Sequence, residues 1–408
     1  MRLKHTLILL TMVSVVADTL LLPFYPQFFA EAFGETSAAH VGAYIAACCF
    51  TVMTAFPLWA RLARKIDEVH LWIYTQIAAG CLGLYCAQTQ SLLGFWIASQ
   101  LMLVFKASYL LIYPYVLRLE EKDNHLNVAG LFSVMVHFGA IGGALVGGSL
   151  LQYFAAQSVY YFMAASDAVQ VALCIGLVLT LKTPLRKTVT PVQDAAGGES
   201  GFLFGLSPLV LKISFVSALF YFSSFMARPY FSVYWEGVSG VEQKMLSALV
   251  YSIPAWVALA CLWMGRNANG PQNHVQKIQW GALAAIVGLV LQASESMVLI
   301  VLGRCLFGYG LYQIMVRLEV ILFEKSTPDD YAADFSKVHF FQNVGVIGAS
   351  FSVGYIVDAL GVLHTFTASV VGFCLALVCF YLLFKPRVET TSASGNNATM
   401  TLSGVSND

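Results

Sequence analysis

The apolar residues of this chain fall in blocks of about 20 separated by short polar stretches, a spacing that restricts the fold more than any other feature. A helix rises about 1.5 Å per residue, so about 20 residues cross a hydrocarbon core of about 30 Å with every backbone group bonded inside its own segment. Twelve blocks can be marked: 6–29, 41–62, 69–88, 93–117, 128–151 and 159–181, then 208–233, 245–264, 275–292, 297–323, 338–357 and 366–384. Arg2 and Lys4 before the first block look like the start of a secretory signal. However, the run continues through Asp18 to Pro23 and Pro26 without a small-residue cleavage site, so it is read as a retained first helix.

The pattern breaks once. Between 182 and 206, Thr183-Pro184, Thr190-Pro191 and Gly197-Gly198 make a polar, turn-rich stretch that reads as a flexible linker. The expected organisation is an N-terminal six-helix bundle, 1–183, a cytoplasmic linker, 184–206, a C-terminal six-helix bundle, 207–388, and a disordered cytoplasmic tail, 389–408. The halves echo each other at an offset of 204 to 206 residues, with Trp59 matching Trp263 and Pro23 matching Pro229. Six crossings return the chain to its starting side, so the halves share one orientation, as in parallel repeats. Short loops rich in Lys and Arg stay in the cytoplasm. Sixteen of the 22 such residues fall on the side of the N-terminus, Lys244 alone on the other, and Lys106, Lys212, Arg228, Arg304 and Arg317 within blocks. The expectation is a multi-pass protein of the inner or plasma membrane with both termini cytoplasmic.

Several function classes are disfavoured. Lys plus Arg and Asp plus Glu both number 22, so no basic excess points to nucleic acid. The nine cysteines lie in apolar stretches, are odd in number and show no metal-ligand spacing; no metal or cofactor is expected. Neither a zinc-protease helix motif nor a phosphate-cradling glycine loop occurs, so the chain does not read as an enzyme.

In the fifth block, Gly130, Gly139, Gly143-Ala144 and Gly147-Gly148 leave one helix face without side chains, so a neighbouring helix can approach closely. After the second block, the run Phe56-Pro57-Leu58-Trp59-Ala60-Arg61-Leu62-Ala63-Arg64-Lys65 ends in a basic cluster. With two six-helix sets and a central linker, these features resemble the major facilitator superfamily over the whole chain apart from the tail. The fifth-block glycines resemble the antiporter motif of its drug:proton antiporter branch, the siderophore and drug exporter type, with Ala144 where that motif usually has proline. Arg61, Arg64 and Lys65 fit the family's loop motif, whereas Phe56, Ala60 and Ala63 depart from it, Ala60 replacing the Asp to which a conformational latch is ascribed. A generic small-residue packing face and a plain positive-inside cluster are the alternatives. The resemblance implies the major facilitator fold and alternating access by rocking of two bundles.

An ionisable side chain at the bilayer centre costs at least about 2.5–3.5 kcal/mol, so it normally faces a cavity and has a partner. Asp18 and Lys106 are the most central. The resemblance brings the first and fourth helices side by side and makes Asp18 the expected proton carrier, with Lys106 its charge partner or a substrate contact. A carboxylate in a drying cavity can load and release protons near neutral pH. A permanent Asp18–Lys106 ion pair is the alternative. His137 is either a second proton-coupling group or a packing histidine. Asp167 belongs to a helix that the family places at the periphery, and Glu319 lies where it can neutralise Arg317 or Lys325. Arg228 and Arg304, in helices that the family arranges around one cavity, leave an excess of positive charge at membrane depth and suggest an anionic solute. Tyr109, Tyr113, Gln313 and Asn343 are added as cavity-lining candidates.

The expected function is proton-coupled efflux by antiport of a small organic solute, either a carboxylate metabolite such as a siderophore or a drug. The alternative is a symporter or facilitator importing a small metabolite. The expected partners are the solute, protons and the lipid bilayer, and the expected state is a monomer.

Overall fold

In the computed structural model, which describes residues 2–119, 125–181, 185, 207–265, 273–326 and 331–384, every regular element is a helix. The first set is α1 (Arg2–Asp18), α2 (Tyr25–Phe33), α3 (Ala38–Leu62), α4 (Glu68–Gln88), α5 (Leu92–Lys106), α6 (Ile112–Leu119), α7 (His125–Tyr153) and α8 (Val159–Leu181). The second set is α9 (Pro208–Met226), α10 (Phe231–Ser239), α11 (Lys244–Gly265), α12 (His274–Gln292), α13 (Met297–Lys325), α14 (Tyr331–Leu360) and α15 (Leu363–Phe384). The expected linker, apart from Leu185, and the expected tail lie outside the described residues.

Ten stretches are long and apolar enough to cross a membrane by length and composition, and His5–Asp18 is a shorter apolar helix. The first expected block is therefore corrected. It is not one helix: α1 ends at Asp18, a turn occupies 19–24, and α2 starts at Tyr25. Pro23 and Pro26 each lack an N–H and disfavour helical geometry at the preceding residue, so the helical ladder cannot run through them. The seventh block breaks in the same way at 227–230, around Pro229, and thus the Pro23–Pro229 match is realised in the backbone. The fourth block also divides, with a 3-10 turn, Ala107–Leu111, between α5 and α6.

Helix starts follow local chemistry. Ser37, Asp67, Ser91, Ser207 and Asn273 each accept, through a side-chain oxygen, an otherwise orphaned N–H of the first turn of α3, α4, α5, α9 and α12.

Within the first set α1 packs on α7 and α8, and α4 on α5 and α8; within the second, α9 packs on α14 and α15, and α12 on α13. The sets meet along α3 with α14 and α7 with α11. Small residues permit this approach: a methyl on Gly354 would strike the Ala38 carbonyl oxygen at 2.5 Å, and one on Gly148 the Lys244 carbonyl oxygen at 2.8 Å. At the start of α3 the seam is polar. Asp358 of α14 accepts from the Ala38 N–H at 2.9 Å and the Ala39 N–H at 2.8 Å, so a carboxylate from one set caps a helix of the other. The Tyr230 hydroxyl donates to the Ala38 carbonyl at 3.0 Å beside it.

Candidate functional site

Three irregularities or charges buried in helices converge in the first set. Asp18 is the last residue of α1, Lys106 is the last of α5 before the 3-10 turn, and Asp167 stands in the middle of α8. Lys106 Nζ donates to Asp167 Oδ1 at 2.6 Å and to Asp18 Oδ1 at 3.1 Å. The side chains differ in access: 0% of Asp167 and 5% of Lys106 are exposed, against 36% of Asp18. One carboxylate is thus sealed behind the lysine and the other stands in front of it. Gln170 Nε2 lies 3.4 Å from Asp167 Oδ1, and Ser14 Oγ donates to Asp18 Oδ2 at 3.3 Å.

Neighbouring helices fix each member. The glycine face of α7 presses on the last turn of α1. A methyl on Gly139 would overlap Val15, one on Gly143 would overlap Thr19, and one on Gly147 would overlap the Leu20 carbonyl. Thr19 Oγ1 reaches across to the Gly139 carbonyl at 3.1 Å. The fifth-block motif therefore sets the position of Asp18, while Gly148, next along, faces α11. Gly130 has its surroundings outside the described residues. The 3-10 turn after Lys106 is held by α4, where Trp72 Nε1 donates to the Ser108 carbonyl at 3.1 Å and the Thr75 hydroxyl lies 2.7 Å from that of Ser108. A 3-10 turn inside a helix often marks a hinge.

Arg304 in the second set is also buried, yet its partners are neutral. Its Nε donates to the Val250 carbonyl at 3.3 Å, a second guanidinium nitrogen donates to the Tyr251 carbonyl, and the guanidinium carbon lies 4.0 Å from the centre of the Phe231 ring. Pro254 lies inside α11, so Val250, four residues earlier, lacks its helical N–H donor. Arg304 supplies the missing bond.

Arg228 sits half-buried in the turn between α9 and α10, and its guanidinium has no bonded partner among the described residues. It is an electrostatic neighbour of His137, Tyr221 and Tyr251. His137 Nδ1 donates to the Ser133 carbonyl of its own helix at 2.7 Å. Tyr109, buried in the 3-10 turn, is in electrostatic range of Asp18, and Tyr113 packs edge-on against Phe132 and faces Phe335 of α14. Asn343 donates to the His339 carbonyl at 2.9 Å. Gln313 is turned toward α12, its Cβ lying where a methyl on Gly281 would come within 2.8 Å. Arg61, Arg64 and Lys65 are exposed at the end of α3. No ion pair joins Glu319 to Arg317 among the described residues, and the Lys325 side chain lies outside them.

The sequence reading brought Asp18 and Lys106 together but set Asp167 aside. Depth alone was the available signal, because Asp167 falls at mid-block like the other two. The spacing from Pro254 back to Val250 likewise marks an orphaned carbonyl that a buried donor must serve.

Residues 7–275 match the family model described as Major Facilitator Superfamily. No curated protein matches the sequence. Among solved structures, the chain is similar to the nucleoside transporter NupG in a mutant form, at TM-score 0.74 and 14% identity over 94% of this chain and 100% of that one. It is similar to an auto-inhibited POT family peptide transporter, at TM-score 0.75 and 12% identity over 97% and 99% of the two chains. The human organic anion transporter MFSD10 gives TM-score 0.66 at 13% identity, over 92% and 98%. At these identities the likeness is one of fold.

Proposed function

The chain belongs to the major facilitator superfamily of membrane transporters, and from that premise we propose that it exports a small organic solute across the inner or plasma membrane in exchange for protons. In this reading the broken first block and α4 join the ten long apolar stretches to give twelve crossings, in two six-helix bundles with both termini in the cytoplasm. The chain acts as a monomer.

The observation that carries the proposal is the unequal access of the two carboxylates on Lys106. Asp167, sealed at 2.6 Å, answers the lysine's charge permanently, and Asp18 is then the carboxylate in excess. Being accessible, Asp18 is the member that exchanges its proton with the cavity. Antiport requires the solute to compete with that proton, so the group that displaces it is a cation or a strong hydrogen-bond donor. Lys106 and Arg304 are already engaged, so the anionic preference expected from the count of positive charges falls mainly on Arg228. A solute with a carboxylate for Arg228 and a donor for Asp18 meets both conditions.

A second reading follows from the same contacts. Protonating Asp18 would release a donor of Lys106, and an anion taken up there would bind together with the proton, which is symport. The two readings differ in the sign of proton movement. Purified protein in proteoliposomes under an imposed proton gradient, with internal pH followed as carboxylate siderophores and cationic drugs are added in turn, separates them. Asp18→Asn is expected to lose proton-driven transport at least about tenfold, the scale of one lost charge interaction; undiminished gradient-driven transport by that variant would remove Asp18 from the mechanism.

A further inference from the structure

A second carboxylate at membrane depth stands apart from this cluster. Glu319 of α13 lines an enclosed cavity together with Ser217 of α9 and Phe335, Val338, His339 and Gln342 of α14. The space suits about one water-sized occupant. Ser217 is fully buried, and its hydroxyl has no hydrogen-bond partner among the described residues. Gln342 is also buried, with its Oε1 3.0 Å from His339 Nδ1. A buried hydroxyl without a partner costs roughly 1–3 kcal/mol unless something in the cavity bonds to it.

No described Lys or Arg side chain reaches Glu319. On its own helix Arg317 lies two residues away, a spacing that points side chains in different directions. From the other elements, the titratable groups facing it are Tyr113 of α6, Tyr221 of α9 and His339 of α14. Further along α14, Lys337 pairs with Asp334 at 3.3 Å. On α12, His274 pairs with Glu324 at 3.3 Å and Lys277 is a neighbour of Arg317. On α11, Cys261 neighbours Tyr312. The local cations are thus committed elsewhere, and the carboxylate faces oxygen donors and aromatic rings.

We propose that Glu319, Ser217 and Gln342 form a second coupling-ion site, in the half of the chain opposite to Asp18, which takes one monovalent cation, either a proton or Na+. One unit of positive charge neutralises the single carboxylate. A divalent ion would leave a net charge stranded at membrane depth. Hard cations prefer oxygen ligands, and the Ser217 hydroxyl supplies the donor that otherwise has no bond. The site does not depend on the role given to Asp18.

The test follows thermal unfolding of the purified full-length protein, so it needs no knowledge of the solute. In one arm NaCl replaces choline chloride at fixed pH and ionic strength; in the other, pH is lowered stepwise without Na+. Wild type should gain stability in one arm, which identifies the ion. Glu319→Gln should lose that response, and Asp18→Asn should keep it. Should Glu319→Gln prove unstable, Ser217→Ala serves instead, with the half-saturating ion concentration raised about tenfold for one lost hydrogen bond. A response in Glu319→Gln equal to that of wild type, a response lost only in Asp18→Asn, or no response of wild type in either arm overturns the site.

Discussion

Lys106 and Arg304 are both cations buried at membrane depth, one in each half of the chain, and they are stabilised by opposite means. Lys106 is held by two carboxylates, at 2.6 and 3.1 Å. Arg304 is held by two carbonyl oxygens of a proline-interrupted helix and by the face of Phe231. Carbonyls and rings do not titrate, so the arrangement around Arg304 is the same at any physiological pH, and its role is to brace α11. Carboxylates do titrate, and one of the two on Lys106 can be reached from outside. The partner chosen for a buried cation therefore separates a brace from a switch, even where both have the same charge and similar burial.

The strongest way to break that comparison is Lys106→Met. It leaves Asp167, fully buried, without its cation, at a cost of roughly 3–5 kcal/mol, and thermal unfolding should show it as a large loss of Tm. Lys106→Met combined with Asp167→Asn should recover much of that stability while transport stays absent, because the charges go together. If the single variant unfolds like wild type, the cluster is not the buried network described here.

A smaller effect is expected for Arg304→Lys, which keeps the charge but cannot serve two carbonyls in the same fork. It should cost about 1–3 kcal/mol, while the dependence of transport on pH stays that of wild type. A shifted pH profile would mean that Arg304 belongs to the switch after all. The smallest effect is that of Phe231→Leu, which removes the ring beneath the guanidinium and should cost about 1–2 kcal/mol in a denaturation experiment. No change there would leave the carbonyls alone as the brace.

The helical blocks and the match of Pro23 with Pro229 were legible because membrane solvation acts on every residue of a span and leaves its record in composition. The division of the first block at 19–24 was legible only in part: Pro23 and Pro26 marked the place, but a continuous apolar run hides a turn that tertiary contacts with α7 support. Asp18 and Lys106 stood out as lone charges. Asp167 did not, because its value lies in a contact across 61 residues of sequence, which no local pattern encodes. Arg304 carried the opposite difficulty, since a buried arginine suggests an anion, and only the position of Pro254 distinguishes a carbonyl partner from a bound carboxylate.

The three-membered cluster has an electrical consequence. With Lys106 charged and both carboxylates ionised, it carries one net negative charge, which a single bound proton cancels. Displacing one elementary charge through a potential of 100 mV involves about 2.3 kcal/mol. A carrier that reorients with the cluster ionised therefore moves against or along the membrane voltage, whereas the protonated carrier reorients without feeling it at this point. Voltage would thus govern one limb of the cycle and leave the other to the concentration gradients alone.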